Sequence, residues 1–166
     1  MNRKKNDRSH GWRNFEMNSK VDHVMECFNG GFDCSQAMLS TYGEDLGLDK
    51  KTALKISCGL AVGMARLGST CGAVTGAYLV IGLKYGKCLP DDNEAKEKTF
   101  ALIQEFDKRF TAKHGSVNCR ELVGVDLRYG DKVFAKKQVQ AICPGLVKDA
   151  AEILEQILFL AESGGE

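Results

Sequence analysis

At 166 residues the chain is one domain's worth and can bury a core without disulfide staples. Its 43% hydrophobic and 27% charged residues are ordinary for a globular protein. A formal net charge of +1 excludes a global field that would draw it to nucleic acid or an anionic membrane. The longest apolar run, Cys71 to Leu83, is too short to span a bilayer and contains Gly72, Gly76 and Gly82. No membrane insertion is expected.

Residues 1–17 read as a disordered basic leader, because Arg3, Lys4, Lys5 and Arg8 are followed by no apolar stretch and no small-residue cleavage site. Met17-Asn18-Ser19-Lys20 resembles a second start. A cytoplasmic protein is expected, with residues 18–163 as a single helical domain.

In chain order, Ser19 and Asp22 form a capping-box pattern that opens a helix with Val21, Val24, Met25 and Phe28 on one face, ended by Gly30-Gly31. Asp33 and Gln36 repeat the pattern and open a second helix through Tyr42, closed by Gly43 and the Gly47 turn. Asp49 caps a third, which helical spacing carries as far as Gly63. A fourth begins near Ser69 or Thr70 and runs to Gly86. The fifth has Asp91, Asp92 and Glu94 in its first turn and Lys113 and His114 in its last. Gly115 follows as its C-cap, and its predicted buried stripe is Phe100, Ile103, Phe106 and Phe110.

Ser116 or Asn118 then caps a short helix. A separate segment spans Val133 to Ile142, and Pro144 starts the last helix. Its inward face is Leu146, Ala150, Ile153, Leu154, Ile157 and Leu158. Sustained period-2 alternation is absent, so the fold class expected is all-α, a compact bundle of six to seven helices.

Seven cysteines are many for a cytosolic chain, where clusters are more often catalytic or metal-binding than disulfide staples. Cys34, Cys71, Cys119 and Cys143 all fall at predicted helix starts, where unpaired N–H groups favour thiolate over thiol. Cys27 and Cys58 fall within helices beside apolar residues, and Cys88 lies in a loop. Taken singly, any of these is more often packing than chemistry. Four at helix starts point to redox or metal chemistry.

The chain has no C-x-x-C, no haem-attachment motif and no zinc-ribbon knuckle. The gaps between the four are 37, 48 and 24 residues, so a site forms only where distant helix ends meet. In the segment Cys71 to Ala77, Gly72 and Gly76 share a helix face, as do Ala73 and Ala77. That small face either admits a close helix or leaves room beside the Cys71 sulfur, where Gly72, Ala73 and Gly76 would bind a cofactor.

Cys34 in GGFDCSQAML, the block GSTCGAVTGA, Cys119 in FTAKHGSVNCRELVG and Cys143 in CPGLVKDAAEILEQIL together resemble the C_GCAxxG_C_C family, whose label is redox-active protein. The resemblance runs from about Val21 to Leu158 and leaves out Cys27, Cys58 and Cys88. It implies a protein typical of anaerobes, often encoded beside transporter genes. A similar domain in split-Soret cytochromes implies that the four cysteines hold an iron–sulfur cluster; haem does not carry over.

The leading expectation is therefore a redox protein, a thiol-based or iron–sulfur oxidoreductase or electron carrier, with an electron donor or acceptor yet to be named. Cys34, Cys71, Cys119 and Cys143 would act as two dithiol/disulfide pairs or as ligands of an iron–sulfur cluster. The alternatives are a helical adaptor docking on a transporter, with buried structural cysteines, and a structural zinc site on the same four. A homodimer is compatible with the chain. Arg66 and Arg120 flank the cysteine segments and would lower thiolate pKa or hold an anion, although a solvated surface arginine is the plainer reading. Thr75 is expected to bond back to its own helix, and His114 either to join Cys119 as a ligand pair or to complement its helix end.

Overall fold

The computed structural model describes residues 19–163; the leader, Trp12 included, and the last three residues lie outside them. Among the described residues there are seven right-handed helices and no strand. They are α1 (Val21–Asn29), α2 (Cys34–Gly43), α3 (Lys50–Cys58), α4 (Gly72–Tyr85), α5 (Asn93–His114), α6 (Cys119–Val123) and α7 (Lys132–Ser163). Among the described residues no helix is long and apolar enough to cross a membrane.

Most helix ends follow local chemistry. The Asp33 backbone N–H donates to the Gln36 side chain at 3.1 Å, which opens α2. Asp49 accepts from the N–H groups of Lys51 and Thr52 at α3, and Asp92 accepts from Ala95 at α5. Gly115 closes α5 with φ 82°. At α1 the cap differs: Ser19 Oγ accepts only from Val21, and Lys20 occupies the N-cap position.

Two departures from the sequence reading matter for the site. The third helix stops at Cys58, and residues 62–66 wind with the opposite hand, at φ between 54° and 68°. Four of these five residues carry a Cβ, and each pays roughly 1–2 kcal/mol for a left-handed conformation. Tertiary hydrogen bonds hold the turn and the strand-like stretch after it. Ser69 N–H donates to Gly63, Cys71 N–H to Val117, and Cys119 N–H to the Ser69 carbonyl at 2.7 Å.

The second departure is that Pro144 does not start a helix but lies within α7, which Asp131 opens by accepting from Phe134. A proline there forfeits one i→i−4 bond. Continuous packing of Ala135, Leu146, Val147 and Ala150 on the core keeps the helix going past it.

The core is built where α2, α4, α5 and α7 meet. Tyr42, Phe106, Phe110, Ile81 and Leu154 are fully buried there. Of the predicted stripe on α5, Phe106 and Phe110 stack at 6.0 Å, whereas Phe100 is 49% exposed with Lys96 over its ring. All six expected inward residues of α7 are buried. Tyr42 reaches across to α7 and donates to Glu155 at 2.9 Å.

Candidate thiol site

Four segments remote in sequence converge at one end of the bundle. Cys34 is the first residue of α2, Cys71 is the N-cap of α4, and Cys119 is the first residue of α6 behind the N-cap Asn118. Cys143 comes from the middle of α7, not from a helix start, because α7 runs through Pro144. All four line one cavity of about 50 Å³, walled by apolar groups that include Val62, Val123, Leu127 and Val139. Cys27, Cys58 and Cys88 lie outside this lining, and no disulfide joins any of the seven cysteines.

Glycines make this convergence sterically feasible. A Cβ at Gly72 would collide with the Cys34 sulfur. A Cβ at Gly63 would stand 2.5 Å from Cys119 Cβ and 3.0 Å from its sulfur. Of the three residues expected to bind a cofactor, only Gly72 lines the cavity. Ala73 is fully buried and acts through its backbone, whose N–H points at the Cys71 sulfur with that of Val74. Gly76, one turn further along the same face, packs against α2 away from the thiols, where a Cβ would stand 2.6 Å from Met38 Cβ.

The electrostatics reverse the sequence expectation. Backbone N–H groups do reach the thiols: those of Ser35 and Cys34 itself at the start of α2, and that of Val62 from the left-handed turn, point at the Cys34 sulfur and lower its pKa. Burial outweighs them. Desolvation raises the pKa of Cys34 and of Cys71, pushes Cys119 up to about 11 and Cys143 up to about 12. The thiols also repel one another as anions: Cys34 raises each of the other three, and Cys119 raises Cys71 and Cys143. The resting site is therefore a set of neutral, protonated thiols. Charge at a helix start acts over one turn and is partial, whereas an apolar wall acts on the whole sulfur.

The other sequence candidates take plainer roles. Thr75 Oγ1 donates to the Gly72 carbonyl at 3.2 Å, inside its own helix. His114 Nε2 is 3.0 Å from Asp149 and its ring lies against Phe110, so it ties α5 to α7 and does not line the cavity. Arg120 pairs with Asp126 at 2.9 Å and donates to the Leu67 carbonyl. Sequence reasoning missed Val62, Leu127 and Val139, which wall the cavity. Nothing in an isolated apolar residue marks it as facing a thiol. The run Ala61-Val62-Gly63-Met64-Ala65 likewise carries no signal for a left-handed turn except Gly63.

In kind and number, the four cysteines match the ligands of an iron–sulfur cluster. Among the described residues, no three His, Cys, Asp or Glu side chains stand together as a group that could hold a single metal ion.

No curated protein and no solved structure matches the chain. Residues 32–157 match the family described as "Putative redox-active protein (C_GCAxxG_C_C)", a span that takes in Cys34, Cys71, Cys119, Cys143 and all of the cavity lining except Phe28. The chain belongs to the C_GCAxxG_C_C family.

Proposed function

We propose that this protein is a cytosolic thiol redox protein in which Cys34 forms a disulfide with one of Cys71, Cys119 and Cys143, passing two electrons to an acceptor. One observation carries the reading. Four cysteines spread over 109 residues line one small apolar cavity, and Cys34 lies near enough to raise the pKa of each of the other three. Disulfide exchange needs only pairs of sulfurs to meet, and Cys34 is placed beside each of the other three. In the reaction two thiols lose two protons and two electrons, and one S–S bond forms.

Raised thiol pKa values give the reaction a character. At neutral pH little thiolate is present, so the reduced site resists adventitious oxidation and reacts slowly until a reagent is positioned beside it. An adaptor with inert buried cysteines would form no such disulfide.

The test is oxidation of anaerobically prepared protein, followed by mass-spectrometric mapping of all seven cysteines. A disulfide joining Cys34 to one of Cys71, Cys119 and Cys143 is expected. Disulfides confined to Cys27, Cys58 and Cys88, or none at all, would overturn the reading.

The second reading is an iron–sulfur cluster on the same four cysteines, and the observation that favours it is their number. Four thiolates repel in a dry cavity, and bound iron would neutralise them. When bound, such a cluster supplies one-electron transfer. Anaerobic incubation with iron and sulfide should then give a visible chromophore that Cys→Ser changes at 34, 71, 119 or 143 abolish. Absence of colour removes this reading, and with it the structural zinc alternative if zinc is also not retained.

A further inference from the structure

Beside the thiol cavity lies a second, larger cleft of about 690 Å³, within the ~300–1,000 Å³ range typical of small-molecule sites. Arg66, Arg128, Lys132 and Lys136 line it, opposed by the single carboxylate of Asp33. Four cations less one anion leave a local charge of +3, on a protein whose whole formal charge is +1. The field is therefore concentrated at this mouth. Arg66, Lys132 and Lys136 enter no ion pair among the described residues, and the Arg128 guanidinium lies over the Tyr129 ring at 4.2 Å and near enough to Asp126 to help lower its pKa.

The two chambers have a common wall. Asp33, Val62, Leu127 and Val139 line both. Asp33 immediately precedes Cys34, and Val62 supplies a backbone N–H to the Cys34 sulfur. Val139 lies one helical turn before Cys143 on α7. Cys34 and Cys143 are part-exposed, whereas Cys71 and Cys119 are 5% and 4% exposed. None of the four thiols lines the cleft itself; Cys34 follows the shared-wall residue Asp33, and Cys143 lies one turn beyond the shared-wall residue Val139.

We propose that the cleft binds a small anionic disulfide, one carrying carboxylates, and delivers its sulfur–sulfur bond to Cys34. The proposal rests on the thiol-redox reading and adds the substrate class. The Cys34 thiolate attacks one reagent sulfur, the reagent S–S bond breaks, and a mixed disulfide forms. The departing thiolate takes up the proton that Cys34 lost. A second cysteine behind Cys34 then attacks the Cys34 sulfur, closes the protein disulfide and releases the second half of the reagent as a thiol. Two protein thiols are oxidised and one reagent disulfide becomes two thiols. Cationic side chains at the mouth raise the local concentration of an anion and hold its carboxylates while its sulfur reaches the wall.

The experiment compares three disulfides on fully reduced, full-length protein at low salt: anionic oxidised glutathione, neutral 2-hydroxyethyl disulfide and cationic cystamine. Formation of the Cys34-linked protein disulfide is followed by mass spectrometry, and each rate is divided by that of the neutral reagent. Oxidised glutathione should exceed cystamine by at least about tenfold, a ratio that falls toward one as ionic strength passes ~0.15 M. The double change Lys132→Glu/Lys136→Glu should invert the preference, and Lys55→Glu/Lys108→Glu, which alters charge equally on α3 and α5, should not. Equal normalised rates for the three reagents, or an equal response in the two double variants, would overturn the anionic-substrate inference while leaving the thiol reading intact. If none of the three forms a disulfide at Cys34, the thiol reading falls and this inference falls with it.

Discussion

Gly72 and Gly76 sit one turn apart on the same face of α4, both turned toward α2, yet they do different work. At Gly76 the neighbours are Met38 Cβ and, at 3.2 Å, Ser35 Cα, atoms fixed to the partner helix. That glycine brings two right-handed helices together over fully buried Met38, Ala73 and Ala77. At Gly72 the neighbours are the Cys34 sulfur, Ala61 Cα at 3.2 Å and the Leu60 carbonyl. Here the missing Cβ leaves room for a thiol, beside a left-handed turn. One seam thus has a core end that is well packed and unstrained, and a thiol end where strained backbone and desolvated sulfur are held in place by the rest. Strain of this kind persists where surrounding structure over-determines it, and commonly at functional sites.

The largest difference between the ends should appear with pH. The thiol pKa values are raised from the ordinary 9.0, to about 11 at Cys119 and about 12 at Cys143, with Cys34 and Cys71 raised as well. Below pH 9 both folded and unfolded chains hold these protons, and stability is at its full value. Between pH 9 and 12 the unfolded chain ionises first, so stability falls as pH rises. Urea denaturation of reduced protein should show this loss across that window, and oxidised protein should show less of it, because a disulfide has no proton to lose. A flat profile for reduced protein would mean that the thiol end is wet.

Gly76→Leu should cost ~1–3 kcal/mol by overpacking against Met38 and the α2 backbone, read as a lower urea midpoint. The folded fraction should still form the Cys34 disulfide. A neutral result would show the core end to be open. Gly72→Ala should also cost ~1–3 kcal/mol, since its methyl meets the Cys34 sulfur and lies 3.2 Å from Ala61 Cα and 3.3 Å from the Leu60 carbonyl. Its distinguishing effect is on chemistry: the displaced Cys34 sulfur should oxidise at an altered rate. If Gly72→Ala changes stability alone, the distinction between the two ends disappears.

The smallest effect is expected at the left-handed turn. Ala65 is exposed and has φ 54°. Ala65→Gly removes the steric penalty and adds back unfolded-chain entropy, for a net gain of ~0.5–1 kcal/mol in thermal or urea unfolding. A loss of stability would show that the turn is not strained as drawn.

The α2 capping box, the Asp49 cap, the Gly115 stop and the inward face of α7 were all legible in the residues themselves. Each is decided within a turn or two of chain, by a side chain reaching its own backbone or by apolar spacing. Phe100 misled because period alone cannot say where a buried stripe runs out into solvent. Pro144 misled because a proline signal is local, while the packing that carries α7 past it is not.

What the sequence by itself determined is therefore the helical class, most of the helix starts, and three of the four cysteines at or beside such starts. Tertiary structure alone decided that the four cysteines line one cavity, that residues 62–66 turn left-handed to let Cys119 approach, and that a cationic cleft shares a wall with the thiol cavity. It also decided the sign of the thiol electrostatics. A helix start offers its N–H groups through local geometry, but desolvation depends on every wall that closes around the sulfur. Those walls come from α2, α4, α6, α7 and the turn between α3 and α4, segments that only folding brings together.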